Sequence, residues 1–187
     1  MTLPDQAVYQ AGTALVFASS TFVAEAGDKH FLGARTDQIE LSGVATATAR
    51  QSDKVDLTAS RSPSYAVTAS IEWATPPVVG EVVSFYWAPS ESATAGQDNP
   101  GNIVGVDSAY AGTADDSVAN SVRQLQFIGV MPALLDDVGF CQTSYIGKFS
   151  PPAQYGTLVV YNETSDNFDD SSEMSVRLSP IVMKVID

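Results

Sequence analysis

Residues 65–73 read Tyr-Ala-Val-Thr-Ala-Ser-Ile-Glu-Trp, a two-residue alternation that matches an extended chain and not a helix. As a strand, this segment puts Tyr65, Val67, Ala69, Ile71 and Trp73 on one face and Ala66, Thr68, Ser70 and Glu72 on the other. One face is therefore buried and the other is not. The next run, 81–88 (Glu-Val-Val-Ser-Phe-Tyr-Trp-Ala), is β-branched and aromatic on both faces, the pattern of a strand covered on both sides. Pro76, Pro77 and Gly80 break the chain between them. The two runs are expected to be long neighbouring antiparallel strands.

The same texture continues along the chain. Further strands are expected at 13–18, 35–41, 44–49, 54–59, 123–130, 143–149, 156–162 and 173–186. Pro180 implies an edge, a bulge or a break in the last of them, because proline lacks the N–H of a ladder. Helical periodicity is nearly absent, and the best candidate is a short turn at 115–122 behind Asp115 and Asp116. The predicted fold is all-β: an antiparallel β-sandwich, jelly-roll-like, with one long loop and at most a short helix. No linker or repeat divides the 187 residues, so a single domain is expected over 1–187, with 1–12 as an extended arm. Its core should contain Val67, Ile71, Trp73, Val83, Phe85, Trp87, Leu125, Phe127, Leu158, Val160, Val176 and Leu178.

Charge removes several classes of function. Charged residues are only 17 % of the chain, and nine Lys and Arg against 22 Asp and Glu leave a net charge of −13. The basic residues are scattered and form no cluster that would neutralise phosphates, so no nucleic-acid partner is expected. The most apolar stretch, Leu125–Leu135, contains Gln126, Gly129 and Pro132 and falls short of the ~20 residues of a membrane span. No membrane partner is expected either. Residues 1–5 lack the basic and apolar regions of a signal peptide, which predicts synthesis and folding in a cytoplasm.

Catalytic signatures are missing. His30 is the single histidine and Cys141 the single cysteine. No Gly-x-Ser-x-Gly elbow accompanies His30, which reads as a surface or packing residue. Cys141 reads as a small buried hydrophobe, and no disulfide within the chain is possible. A zinc site needs several His or Cys ligands, and two in the whole chain do not supply one without carboxylates. Gly101-Asn102-Ile103-Val104-Gly105 lacks the lysine and the strand-to-helix context of a phosphate cradle. The expectation is a non-enzyme with no cofactor, metal or catalytic residue.

Three features keep a second meaning. The acidic pairs Asp115-Asp116, Asp136-Asp137 and Asp166-Asn167-Phe168-Asp169-Asp170 suit either solvated turns or a loop Ca²⁺ site, without EF-hand spacing. Trp73, Phe85, Tyr86 and Trp87 suit either core or a sugar-stacking platform, and their strand pattern favours core. Asn162-Glu163-Thr164 fits a glycosylation sequon.

Residues 89–122 mix turn formers with isolated apolar residues, and loops of this length are usually functional or disordered. This segment is expected to be a projecting loop that either wraps its own sheet or reaches a neighbouring chain, with Ile103, Val104 and Tyr110 as the candidate interface residues.

Three segments carry a resemblance: 71–77 with 80–90 (Gly-Glu-Val-Val-Ser-Phe-Tyr-Trp-Ala-Pro-Ser), 123–129 (Arg-Gln-Leu-Gln-Phe-Ile-Gly), and 155–162 (Tyr-Gly-Thr-Leu-Val-Val-Tyr-Asn) with the ending 174–182. Together they resemble a family of small β-rich structural proteins of tailed bacteriophages. The resemblance implies a virion component made in the host cytoplasm, either a capsid decoration (cement) protein or a tail- or fibre-associated module. The weakly patterned 1–12 and the mixed 89–122 segment add the expectation of a homo-oligomer, a trimer or copies bridging capsomers, with other virion proteins such as the major capsid protein as partners. The alternative is a tail- or fibre-associated carbohydrate-binding β-sandwich for host attachment.

Overall fold

The computed structural model describes residues 12–22, 30–57, 62–134 and 141–181. The expected arm before residue 12, the Asp136-Asp137 pair and the ends of the 54–59 and 173–186 segments lie outside these residues. Eleven strands are present among the described residues: β1 (Leu15–Ala18), β2 (Asp37–Gln38), β3 (Ala49–Gln51), β4 (Val55–Asp56), β5 (Tyr65–Ile71), β6 (Val82–Ser90), β7 (Ser108–Tyr110), β8 (Gln126–Pro132), β9 (Gln142–Phe149), β10 (Tyr155–Asn162) and β11 (Ser175–Pro180). One short helix, α1 (Val118–Ser121), is capped by the Ser117 hydroxyl, which accepts from the Asn120 N–H.

Two sheets face each other, in the orders β2-β1-β11-β5-β9 and β7-β3-β10-β6-β8, with β4 beside β10. The pairs β1·β11, β3·β10, β5·β9 and β6·β8 are all antiparallel. Early and late strands of the chain are thus paired from the outside inward, apart from the two-residue β2, which runs parallel to β1, and β7, which pairs with β3. This is a long ribbon wrapped into a jelly roll, and the chain is an all-β antiparallel sandwich.

β5 and β6 do not pair, contrary to the expectation from sequence. β5 lies between β11 and β9, and β6 lies between β10 and β8, in opposite sheets. The 72–81 connection crosses from one sheet to the other, so the two strands meet face to face across the core. The expected strand at 44–49 is also displaced. Turns occupy 42–48, with Ala47 at φ 56°, and the ladder begins only at Ala49.

The main core fills the space between the sheets and takes alternate residues of each strand: Val67, Ala69 and Ile71 from β5, Val83, Phe85 and Trp87 from β6, and Leu158 and Val160 from β10. The intervening residues of β6 and β10 do not face water. Ala88, Val159 and Tyr161 join Ala49, Ile103, Tyr110, Val122 and Leu125 in a second cluster on the outer face of that sheet. Of the two arrangements expected for the 89–122 segment, the chain adopts the first: it carries a 3₁₀ turn at Pro100–Asn102, β7 and α1, and it wraps its own sheet and does not project. That cover explains why 81–88 is apolar on both faces.

Phe127 is the one expected core residue that faces solvent, at 56 % exposure. Pairing between β6 and β8 runs Phe85↔Gly129 and then Tyr86↔Phe127, which leaves Ile128 as a bulge. One extra residue reverses the alternation, so Ile128 enters the core and Phe127 turns out. β9 repeats the device: Val67 pairs with Gly147 and Thr68 with Tyr145, leaving Ile146 bulged inward and Tyr145 outside. The two bulges bring β8 and β9 together where the sheets meet. A Cβ on Gly129 would strike the Ile146 carbonyl, and one on Gly147 would strike that of Ile128. Glycine at both positions lets the backbones touch. Side chains stitch the seam at each end: Gln142 Nε2 donates to the Pro132 carbonyl at 2.8 Å, and Gln126 Nε2 to that of Ser150 at 3.1 Å.

Candidate functional site

The residues expected to meet a neighbour are mostly spoken for inside the chain. Ile103 is 4 % and Tyr110 2 % exposed, both in the second core, and Val104 alone is open, at 44 %. The Tyr110 hydroxyl donates to the Gly101 carbonyl at 2.6 Å, and the Val104 N–H to Gln51 Oε1 at 3.0 Å. Folding the segment onto its own sheet buries Ile103 and Tyr110 within the chain, while Val104 and Val106 stay exposed.

The ambiguous motifs resolve into structural contacts. Trp73 and Trp87 are buried with Phe85 in the main core. Trp73 stands edge-on to Phe168, with centroids 6.3 Å apart, and its Nε1 donates to the Thr164 hydroxyl at 3.2 Å. Asn162 is fully buried: its Nδ2 donates to the Asp166 carbonyl at 2.8 Å, and its Oδ1 accepts from the Thr164 hydroxyl at 2.7 Å. The sequon is thus a turn that fastens the end of β10. In the 166–170 segment, Asp166 accepts from the Thr75 hydroxyl and Asn167 from the Thr46 N–H. Asp116 Oδ1 accepts from the Ser117 N–H at 2.8 Å and from Asn120 Nδ2 at 2.9 Å, around the start of α1.

Two features have no such internal explanation. The first is the seam. Phe127 and Tyr145, 56 % and 64 % exposed, flank it on the outer faces of the two sheets. Phe127 rests against Tyr86, with centroids 5.5 Å apart. At one end of the sandwich, Gly80 N donates to the Ala133 carbonyl and sets exposed Val78 and Val79 near exposed Leu134.

The second feature lies at one end of the β2-β1-β11-β5-β9 sheet. β5 ends at Ile71, opposite Gln142 at the start of β9, and Ser70 faces Ser175 at the start of β11. Glu72, Cys141 and Glu173 flank these three strand ends, and the connection between β1 and β2 brings in His30. His30 Nε2 lies 3.3 Å from Glu173 Oε2, and the ligating atoms of His30, Cys141 and Glu173 all fall within 4.8 Å of one another. Buried Glu72 stands behind them. Its Oε2 accepts from the Ser171 hydroxyl at 2.6 Å and lies 3.9 Å from Cys141 Sγ. Burial pushes the Cys141 thiol up to about 12, and the charges of Glu72, Glu173 and Asp169 add to the effect. A nucleophilic cysteine needs the opposite environment, so this Cys–His pair is not an activated thiolate. The sequence placed His30 and Cys141 separately as packing residues, and no local signal joins them, because the strand pairing alone brings them together.

No family model and no curated protein matches the chain. Among the described residues, no helix is long and apolar enough to cross a membrane.

Proposed function

We propose that the chain is a non-enzymatic structural protein of a virus particle, a capsid decoration protein that acts through protein–protein contacts. The observation that carries this reading is the pair of exposed aromatic rings, Phe127 and Tyr145, presented by two strands whose backbones are locked together. Rigid aromatic side chains on fixed strands make good contact anchors, because little conformational freedom is lost when they are covered. The resemblance of 71–77 with 80–90, 123–129, and 155–162 with 174–182 to tailed-phage structural proteins supplies the setting. Of the residues weighed as a sugar-stacking platform, Trp73, Phe85 and Trp87 are occupied in the core, and Tyr86 packs against Phe127.

The partners are further copies of the chain, as a trimer, and the capsid lattice. The net charge of −13 permits this, since repulsion between surface charges is screened within ~8 Å at physiological salt. The test is the double variant Phe127→Ser/Tyr145→Ser. It should keep its fold, with about 1 kcal/mol or less lost at each site, and it should lose self-association in sedimentation velocity. A variant that assembles like the wild type would remove the seam as the interface. Quantitative mass spectrometry of purified particles tests the setting: stoichiometry near that of the major capsid protein is expected. A few copies per particle, or none, would overturn the decoration role.

A further inference from the structure

We propose that His30, Cys141 and Glu173 form a binding site for a zinc-class divalent cation, with Glu72 as the supporting carboxylate. The site lies just beyond the Gln142 end of the seam and includes neither Phe127 nor Tyr145, so the inference does not depend on the assembly reading. The chain has one histidine and one cysteine, remote in sequence, and both stand at the same strand ends beside a glutamate. Imidazole nitrogen, thiolate sulfur and carboxylate oxygen are the three ligand types zinc takes, and three of them leave a fourth position for water. Sulfur and nitrogen disfavour calcium and magnesium, which prefer all-oxygen sites.

The geometry is close to what coordination requires. Tetrahedral angles with zinc's bond lengths set ligand atoms about 3.3–3.8 Å apart. His30 Nε2 and Glu173 Oε2 are already at 3.3 Å, and the sulfur, within 4.8 Å, needs a side-chain rotation of about 1 Å. Cys141 immediately precedes β9 and Glu173 lies two residues before β11, so paired strands anchor the chain beside two of the three ligands. Electrostatics point the same way. Among the described residues, no lysine or arginine forms an ion pair with Glu72 or Glu173, while Asp169 adds a third negative charge near the thiol. A divalent cation neutralises this concentration of charge and holds the sulfur as thiolate, releasing its proton to solvent. Bound there, it ties the β1–β2 connection to the starts of β9 and β11.

The test uses the full chain and Co²⁺ as the spectroscopic probe. Titration should give one Co²⁺ per chain, with a thiolate-to-cobalt charge-transfer band and visible bands of tetrahedral intensity, and Zn²⁺ should displace it. Cys141→Ser should abolish the charge-transfer band. His30→Ala and Glu173→Gln should each weaken binding at least tenfold, since even residues outside the ligand set cost 10–100-fold at such sites. Asp115→Asn, remote from the group, should bind like the wild type. As a second readout, Zn²⁺ should raise the melting temperature of the wild type and leave that of Cys141→Ala unchanged. Absence of the charge-transfer band at saturating Co²⁺ overturns the proposal. So does a band that survives both His30→Ala and Glu173→Gln, or an equal zinc-induced shift in Cys141→Ala.

Discussion

Replacing Gly156 by alanine adds one methyl group, and the structure locates where it must go. Trp87 is fully buried, with its ring centroid 5.4 Å from that of Phe149. Its indole lies across Gly156, so a Cβ there would overlap Cε2, Cζ2 and Nε1 of the ring. Among the described residues the indole N–H has no hydrogen-bond partner, and close packing positions the ring. It cannot yield cheaply, because Gly156 belongs to β10, which is paired with β6 over eight residues from Tyr155↔Ser90 to Asn162↔Val83. Either the indole leaves its rotamer or the two central strands separate. Overpacking of this kind costs about 1–3 kcal/mol, and an obstacle built from a rigid ring belongs in the upper half of that range. For a chain of this length, a loss of about 2–3 kcal/mol lowers the melting temperature by roughly 4–12 °C. Denaturant unfolding of Gly156→Ala, Trp87→Phe and the double variant isolates the cause. The smaller ring leaves room for the methyl group, so the double variant should be more stable than additivity predicts by about 1 kcal/mol or more. A loss below about 0.5 kcal/mol in Gly156→Ala, or strict additivity, would refute the assignment of glycine to the close approach.

Asp107 should govern part of the acid stability. Burial pushes its carboxyl up, but Arg50 Nε at 2.7 Å, the Glu40 N–H and Gln38 Nε2 outweigh that and hold it below the usual range. A depressed carboxyl stabilises the fold above its unfolded pKa of ~3.9, and that contribution is lost as pH falls through the folded value. Asp107→Asn should therefore flatten the decline in urea stability below about pH 4, and an unchanged acid limb would exclude the role. Lys54 Nζ donates to Ser90 Oγ, Thr94 O and Gln97 O, each at 2.8 Å, and to Ser92 O at 3.1 Å, so the 91–98 turns are wound around one ammonium. Lys54→Met should speed amide exchange in that stretch while β5 and β10 stay protected, and uniform protection would count against it. Tyr110→Phe removes the donor to the Gly101 carbonyl and should cost about 1 kcal/mol by denaturant unfolding, an unaltered midpoint being the contrary result.

Local chemistry made the strands legible. Alternation at 65–71 reports which residues leave water, because a two-residue period is a property of the extended chain itself, and the unbroken apolar run at 81–88 reports a strand covered on both faces. That was enough for the all-β class and for most of the core. Three things were decided only by the tertiary structure. β5 and β6 lie in opposite sheets because each found ladder partners distant in sequence, and such partners leave no mark on a strand's own pattern. Phe127 and Tyr145 face outward because the bulges at Ile128 and Ile146 shift the alternation by one, and a bulge is defined only against the strand beside it. His30, Cys141, Glu72 and Glu173 stand together because pairing brings the ends of β5, β9 and β11 side by side. Periodicity records how each residue meets water. Proximity between residues far apart in the chain is set by register, which no single segment contains.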